Sequence, residues 1–157
     1  MEHKLIYKIK GNVELNDIPK ESSMLGKANL IKEGNDMTIV AYSNMVNVAK
    51  EALAAEELQN CSIELIDLQT VSPIDYDTIK NSLKKTKRLL VCQEAPSNSS
   101  VGTTVISKIV ESKLFHELEV APKLVSGLHS PMPSAKHLEL NVIPQAEDIT
   151  NAVKSML

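Results

Sequence analysis

Residues 63–75 (IELIDLQTVSPID) form an apolar run that breaks at a Ser-Pro step, and this feature constrains the fold more than any other in the chain. Ile63, Leu65, Ile66 and Leu68 give the run a β-branched, water-avoiding character. A strand of that kind needs cover on both faces, as in a parallel sheet held between helices. Gln69-Thr70-Val71-Ser72-Pro73 ends the run, because proline steers the residue before it away from helical angles. Asp75 is then placed to cap a helix over 76–85. Strand, loop and helix in succession make one unit of an α/β sheet. In such sheets the loops leaving the strand ends face the ligand or the partner.

The same alternation runs through the rest of the chain. Residues 1–10 alternate Leu5, Tyr7 and Ile9 and read as a strand or an extended arm. Residues 10–26 carry Gly11 and Pro19 with no sustained period, so they read as a connector, and the compact domain is expected over 27–157. Residues 27–32 read as a first strand. The Gly34-Asn35-Asp36 turn after it is short and most simply joins antiparallel strands. Residues 37–42 (MTIVAY) read as a central strand. Ser43 can cap a helix over 44–58, with Met45, Val46, Ala49, Ala52 and Leu53 inward. Further strands are expected at 63–68, 88–94 and 123–126, and a helix at 101–114 with Val105, Ile106, Ile109 and Val110 inward. Residues 127–144 read as irregular. The last helix, 145–156, follows Pro144, with Glu147 and Asp148 in its first turn and Lys154 in its last, as the helix dipole favours. The pattern predicts a three-layer α/β/α domain with a five-stranded, mostly parallel sheet and one antiparallel strand, 27–32.

Composition narrows the function. The 157 residues suffice for one domain with a real core. A net charge of −3 and 3% aromatic residues argue against a nucleic-acid surface. No apolar run approaches the roughly 20 residues of a membrane span, and MEHKLIYKIK has no signal-peptide core. Cys61 and Cys92 are too few for a disulfide framework or a zinc cluster, which points to a reducing compartment.

Little in the residues themselves points to catalysis. Gly11, Gly26, Gly34, Gly102 and Gly127 form neither a GxGxxG nor a Walker loop. His129 and His137 stand eight apart in a proline-rich loop, not at helical metal-pair spacing, and His3 and His116 read as exposed or loop-packed. Cys92 falls mid-strand, where a buried thiol is a small hydrophobe, and Cys61 sits in a connector. Asp75 and Asp77 read as cap and first-turn charge of their helix, whereas the strand residue Asp67 has no assigned orientation. Lys84, Lys85, Lys87 and Arg88 read as a solvated cap at a helix C-terminus. Glu94 ends a strand beside a loop and a helix start, a position for a loop or interface carboxylate. These features describe a binding or assembly domain before an enzyme. A stand-alone enzyme built on Cys92, Glu94 and His129 is the contrasting reading.

Three blocks in order carry a family resemblance: LGKANLIKEGNDMTIVAYSNMVNVAKEA, IELIDLQTVSPIDYDTIKNSLKKTKRLLVCQEAP and SPMPSAKHLELNVIPQAEDITNAV. From about Leu25 to the end, the chain resembles the C-terminal domain of the β subunit of 2-oxo acid dehydrogenase E1 components, a transketolase C-terminal-type domain, with the pyruvate-specific members nearest. Another thiamine enzyme, of transketolase or deoxyxylulose-phosphate synthase type, is the neighbouring alternative, and QAEDI favours the E1 β class. EHKLIY looks like the tail of a preceding thiamine-pyrimidine-binding domain. The resemblance implies a parent reaction: thiamine-diphosphate-dependent decarboxylation of a 2-oxo acid with transfer to a lipoyl group on E2. Thiamine diphosphate and magnesium would belong to the parent complex, since neither the GDG-type motif nor the pyrimidine-activating glutamate region is present. This chain alone is then not expected to be catalytic. The implied partners are an E1 α subunit, a second E1 β subunit and the peripheral subunit-binding domain of E2, in bacterial cytoplasm or a mitochondrial or plastid matrix. The family meets basic E2 side chains with an acidic residue before the fifth strand and with the terminal carboxylate. Here those fall at Glu119 or Val120, a one-residue difference in length leaving both open, and at Leu157. Gln93 departs from the common histidine before Glu94, and Asn98-Ser99-Ser100-Val101-Gly102 departs from the glycine-rich turn.

Overall fold

The computed structural model describes residues 3–10 and 25–157. Most of the expected connector, residues 11–24, lies outside them. Five strands make one sheet: β1 (Asn29–Lys32), β2 (Met37–Ala41), β3 (Ile63–Asp67), β4 (Leu89–Pro96) and β5 (Lys123–Gly127), in the order β1-β3-β2-β4-β5. β3, β2, β4 and β5 are parallel, and β1 runs antiparallel to β3. The helices are α1 (Met45–Leu53), α2 (Tyr76–Thr86), α3 (Val101–Val110), the short α4 (Lys136–Glu139) and α5 (Ala146–Lys154). The expected three-layer α/β/α architecture, with one antiparallel strand in five, is what forms.

The period-two rule for strands divides the core. Met37, Ile39 and Ala41 of β2 pack with Ile63, Leu65, Leu90 and Cys92 beneath Met45 and Ala49 of α1 and Ile149 and Val153 of α5. Val40, Tyr42, Ile66, Leu89 and Val91 face the other way, against Ile79 and Leu83 of α2 and Val105 and Ile109 of α3. β2 is buried along its whole length because it is central and covered on both sides. Each large side chain so buried stabilises the fold by about 1.5–3 kcal/mol.

The strand expected to be antiparallel is so, and its partner is β3. Both edges of β2 are taken by the parallel strands β3 and β4, so β1 joins the far side of β3 instead. The Gly34-Asn35-Asp36 turn is fastened to the residue before β3: Asn35 and Asp36 donate their N–H groups to Ser62 O at 2.8 and 2.7 Å, and Asp36 Oδ2 accepts from Ser62 N at 2.7 Å. Gly34 lies so close to β3 that a Cβ there would stand 2.2 Å from the Ile63 carbonyl carbon.

Asp75 caps α2 as expected, accepting from Thr78 N at 3.1 Å and from Thr78 Oγ1 at 2.8 Å. It also accepts from Ala28 N at 3.1 Å, which ties α2 to the residue before β1. The Ser72-Pro73 peptide in the preceding loop is cis. Ser43 does not cap α1. It takes a left-handed φ of 57° in the tight exit from β2, and Asn44 holds the cap position without a side-chain bond. α1 and α3 are shorter than the 44–58 and 101–114 periodicities suggest, each giving way to a 3-10 turn, Glu56–Leu58 and Lys113–Glu117. Val110, expected inward, is therefore exposed. The arm is not a strand. Its described residues hold one 3-10 turn, Ile6–Lys8, with Leu5, Tyr7 and Ile9 facing out.

Candidate functional site at the carboxyl ends of the strands

β2 hands the chain to α1 on one face of the sheet, and its neighbour β4 hands it to α3 on the other. The crevice between their carboxyl ends is thus a topological switch point, where open α/β sheets receive ligands. The loops there are tightly folded. Ser43 after β2, Gln69 after β3 and Ser99 after β4 all adopt positive φ, 57°, 51° and 46°. Such angles cost a residue with a Cβ about 1 kcal/mol or more and cluster at functional rims.

Glu94 sits at this crevice, as its place at the end of β4 suggested. Its partner was not foreseen. His3 Nε2 of the N-terminal arm donates to Glu94 Oε2 at 2.7 Å, and Asn44 Nδ2 donates to Oε1 at 3.2 Å. Tyr42, Ser43, Met45 and Ser100 complete the walls of a cavity of about 380 Å3. Burial, and secondarily the Glu94 charge, raise the Tyr42 pKa, so its phenol keeps its proton. Just before Glu94, the Gln93 side chain is wholly buried. Its Oε1 accepts from Gly102 N at 2.7 Å, and its Nε2 donates to the carbonyls of Ala95 and Pro96 at 2.9 and 3.0 Å. The glutamine that departs from the family pattern therefore fixes the β4–α3 loop to the start of α3. Ser100 and Thr103 close a capping box there, which the Ser-rich sequence of the loop supplies in place of glycines.

A second cleft, of about 580 Å3, opens at the ends of β2 and β3, with Asp67, Lys50, Asn47, Gln69 and Thr70 on its walls. Asp67 accepts from Gln69 N at 3.0 Å. Burial raises its pKa above the usual carboxylate range, and the Gln69 N–H and the Lys50 charge only partly oppose this.

The residues expected to meet a partner lie at the opposite end of the sheet. Glu119 is exposed, and Arg88 Nη2 stands 2.6 Å from its Oε2. The Glu119 N–H donates to Lys87 O at 3.0 Å. Val120, the other position left open, packs partly buried against the core. Lys123 Nζ donates to Ser155 Oγ at 2.7 Å, joining the start of β5 to the end of α5, so Glu119 and the exposed Leu157 share this end.

The residues named in the contrasting enzyme reading are not arranged for attack. Cys92 is fully buried in the layer facing α1 and α5, and burial pushes its thiol well above the ordinary range, the reverse of an activated nucleophile. His129 is exposed in the loop after β5, and His116 and His137 are exposed too. Among the described residues no group of three or more His, Cys, Asp or Glu side chains could hold a metal ion. Among them, no helix is long and apolar enough to cross a membrane.

Comparison with known proteins places this geometry in a family. Residues 26–149 match the model of the transketolase C-terminal domain. The chain is 40% identical to a Rickettsia bellii pyruvate dehydrogenase E1 component subunit β over 83% of its length, and 36% identical to the mitochondrial subunit of Dictyostelium discoideum over 98%. It spans only 40% and 43% of those two relatives. The structure of a split-gene transketolase, an inactive β4 tetramer, superposes with a TM-score of 0.71 at 24% identity, covering 85% of this chain and 43% of that one. With the family model spanning most of the chain and the same mixed five-stranded sheet on the page, the chain belongs to the transketolase C-terminal domain family.

Proposed function

We propose that this chain acts as the assembly and docking domain of an E1 β-type subunit of a 2-oxo acid dehydrogenase, with pyruvate as the parent substrate. The observation that carries this reading is identity of 36–40% to pyruvate dehydrogenase E1 β subunits across most of the chain. The parent reaction is thiamine-diphosphate-dependent oxidative decarboxylation with transfer to lipoyl-E2. In this reading the diphosphate and magnesium are held by polypeptide outside the described residues, so the chain alone does not bind thiamine diphosphate. Its partners are an E1 α subunit, a second E1 β subunit and the peripheral subunit-binding domain of E2. The working compartment is a bacterial cytoplasm or an organelle matrix.

Glu119 and the carboxylate of Leu157 are the groups that would meet basic side chains of E2. Their common end of the sheet and their exposure support the assignment. A contact built on exposed opposite charges weakens as salt rises. Calorimetric titration of a peripheral subunit-binding domain into the chain tests this. Binding should weaken at least fivefold in Glu119→Gln and again when ionic strength is raised. Binding that ignores both changes, or no binding, would overturn the docking role.

A further inference from the structure

The larger cleft has a charge pattern that assembly and docking do not use. β2 leads into α1 on one face of the sheet and β3 leads into α2 on the other, so the two loops diverge and leave about 580 Å3 between them. Among the described residues that line it, only two are charged, and their signs are opposite: Asp67 at the end of β3 and Lys50 on α1. Neither is in an ion pair among the described residues, so the ammonium and the carboxylate stand more than 4.0 Å apart. The Lys50 charge is still felt at Asp67, where it opposes part of the effect of burial. Asp67 Oδ1 accepts from Gln69 N at 3.0 Å, and Oδ2 has no hydrogen bond from a described residue. Asn47 stands one helical turn before Lys50, so its amide lines the same wall. Ile31, Val46 and Val71 make the cleft apolar beside these groups. A carboxylate held partly out of water gains from a cation brought to it. A simple amine would satisfy Asp67 but meet the Lys50 charge, and a simple acid would satisfy Lys50 but meet Asp67. A molecule that carries both charges is favoured at each end.

We propose that the cleft between the carboxyl ends of β2 and β3 binds a small aliphatic α-amino acid as its zwitterion. The ammonium group sits on Asp67 Oδ2. The carboxylate takes Lys50 Nζ and the Asn47 amide. The side chain lies against Ile31, Val46 and Val71. The site uses neither Glu119 nor Leu157 and does not depend on the docking role.

The full chain, titrated with L-leucine at pH 7 and followed by backbone amide NMR, tests this. Shifts should saturate and should be confined to the stretches around residues 43–50 and 67–72. Isopentylamine, which is leucine without its carboxylate, and isocaproate, which is leucine without its amino group, should each bind about tenfold more weakly. Glycine, with both charges and no side chain, should bind about fivefold more weakly. Asp67→Asn should bind leucine and isocaproate alike. Lys50→Gln should bind leucine about tenfold more weakly and isopentylamine no more weakly than the parent does. Lys50 is exposed, so Lys50→Gln decides the matter even if Asp67→Asn does not fold. No localised response, leucine binding no tighter than isopentylamine, isocaproate or glycine, or an unchanged leucine affinity in Lys50→Gln would each overturn the proposal.

Discussion

Glu119 Oε2 lies 2.6 Å from Arg88 Nη2, and the same guanidinium donates through Nη1 to the Asp36 carbonyl at 3.1 Å. The arginine therefore joins three segments and is only partly exposed, whereas the glutamate is exposed and makes this one ion pair. An ion pair with so exposed a partner contributes about 0.2–1 kcal/mol. Glu119→Gln should accordingly cost less than about 1 kcal/mol in urea denaturation. Arg88→Ala, which also strips a hydrogen bond from a backbone carbonyl, should cost about 1–3 kcal/mol. Equal losses would show that the Asp36 contact contributes nothing.

Asp75 links stability to acid. Burial alone would raise its pKa, but the N–H of Ala28, the hydroxyl and N–H of Thr78 and the charge of Lys27 outweigh burial and leave it lowered. A carboxyl whose folded pKa lies below its unfolded value, about 3.9, stabilises the protein above that pH. The contribution is lost as pH falls through the folded pKa. Asp75→Asn retains an acceptor for the cap and loses the charge. It should be less stable than the parent at pH 7 by about 1 kcal/mol, and the gap should close below about pH 4. Parallel denaturation curves with a constant gap down to pH 2 would contradict this.

Gly34→Ala should be among the most damaging single changes. The added methyl meets the Ile63 carbonyl carbon at 2.2 Å and Glu64 N at 2.3 Å, both backbone atoms of an inner strand that cannot swing aside. A loss of about 3 kcal/mol or more is expected, readable as a fall in melting temperature. A change below 1 kcal/mol would mean that the turn can lift off β3 at little cost.

The two thiols should separate cleanly in a native-state alkylation time course. Cys61 is partly exposed and should react first. Cys92, buried and with its pKa raised by desolvation, should react only at the rate of unfolding. Fast native labelling of Cys92 would revive it as a chemical group.

Residues 63–75 made the fold legible because strand, breaker and cap stand in consecutive positions. Asp75 caps where its sequence context places it. β1 is antiparallel as its short turn suggested, but which strand it pairs with was decided by β2 having both edges filled by parallel neighbours, a property of the whole sheet. Ser43 failed for a related reason. Its hydroxyl suits a cap, but the tight exit from β2 put its backbone in the left-handed region. Glu94 could be singled out by position at a strand end. Its partner could not, since nothing near His3 in the sequence marks it for a residue 91 positions on. Gln93 could be noted as a departure, yet only packing shows that its amide satisfies three backbone groups at once.

The reversed edge strand decides which pole of the domain is free. Asn29 stands opposite Asp67, so incoming polypeptide arrives at the rim where β2, β3 and β4 release theirs. Had β1 pointed the same way as its neighbours, everything upstream would have been delivered beside Arg88 and Lys123 instead. One inverted strand thus brings Asn29 to the Glu94 pole, and Glu119 and the C-terminal leucine stand at the other, beside the Gly34-Asn35-Asp36 turn.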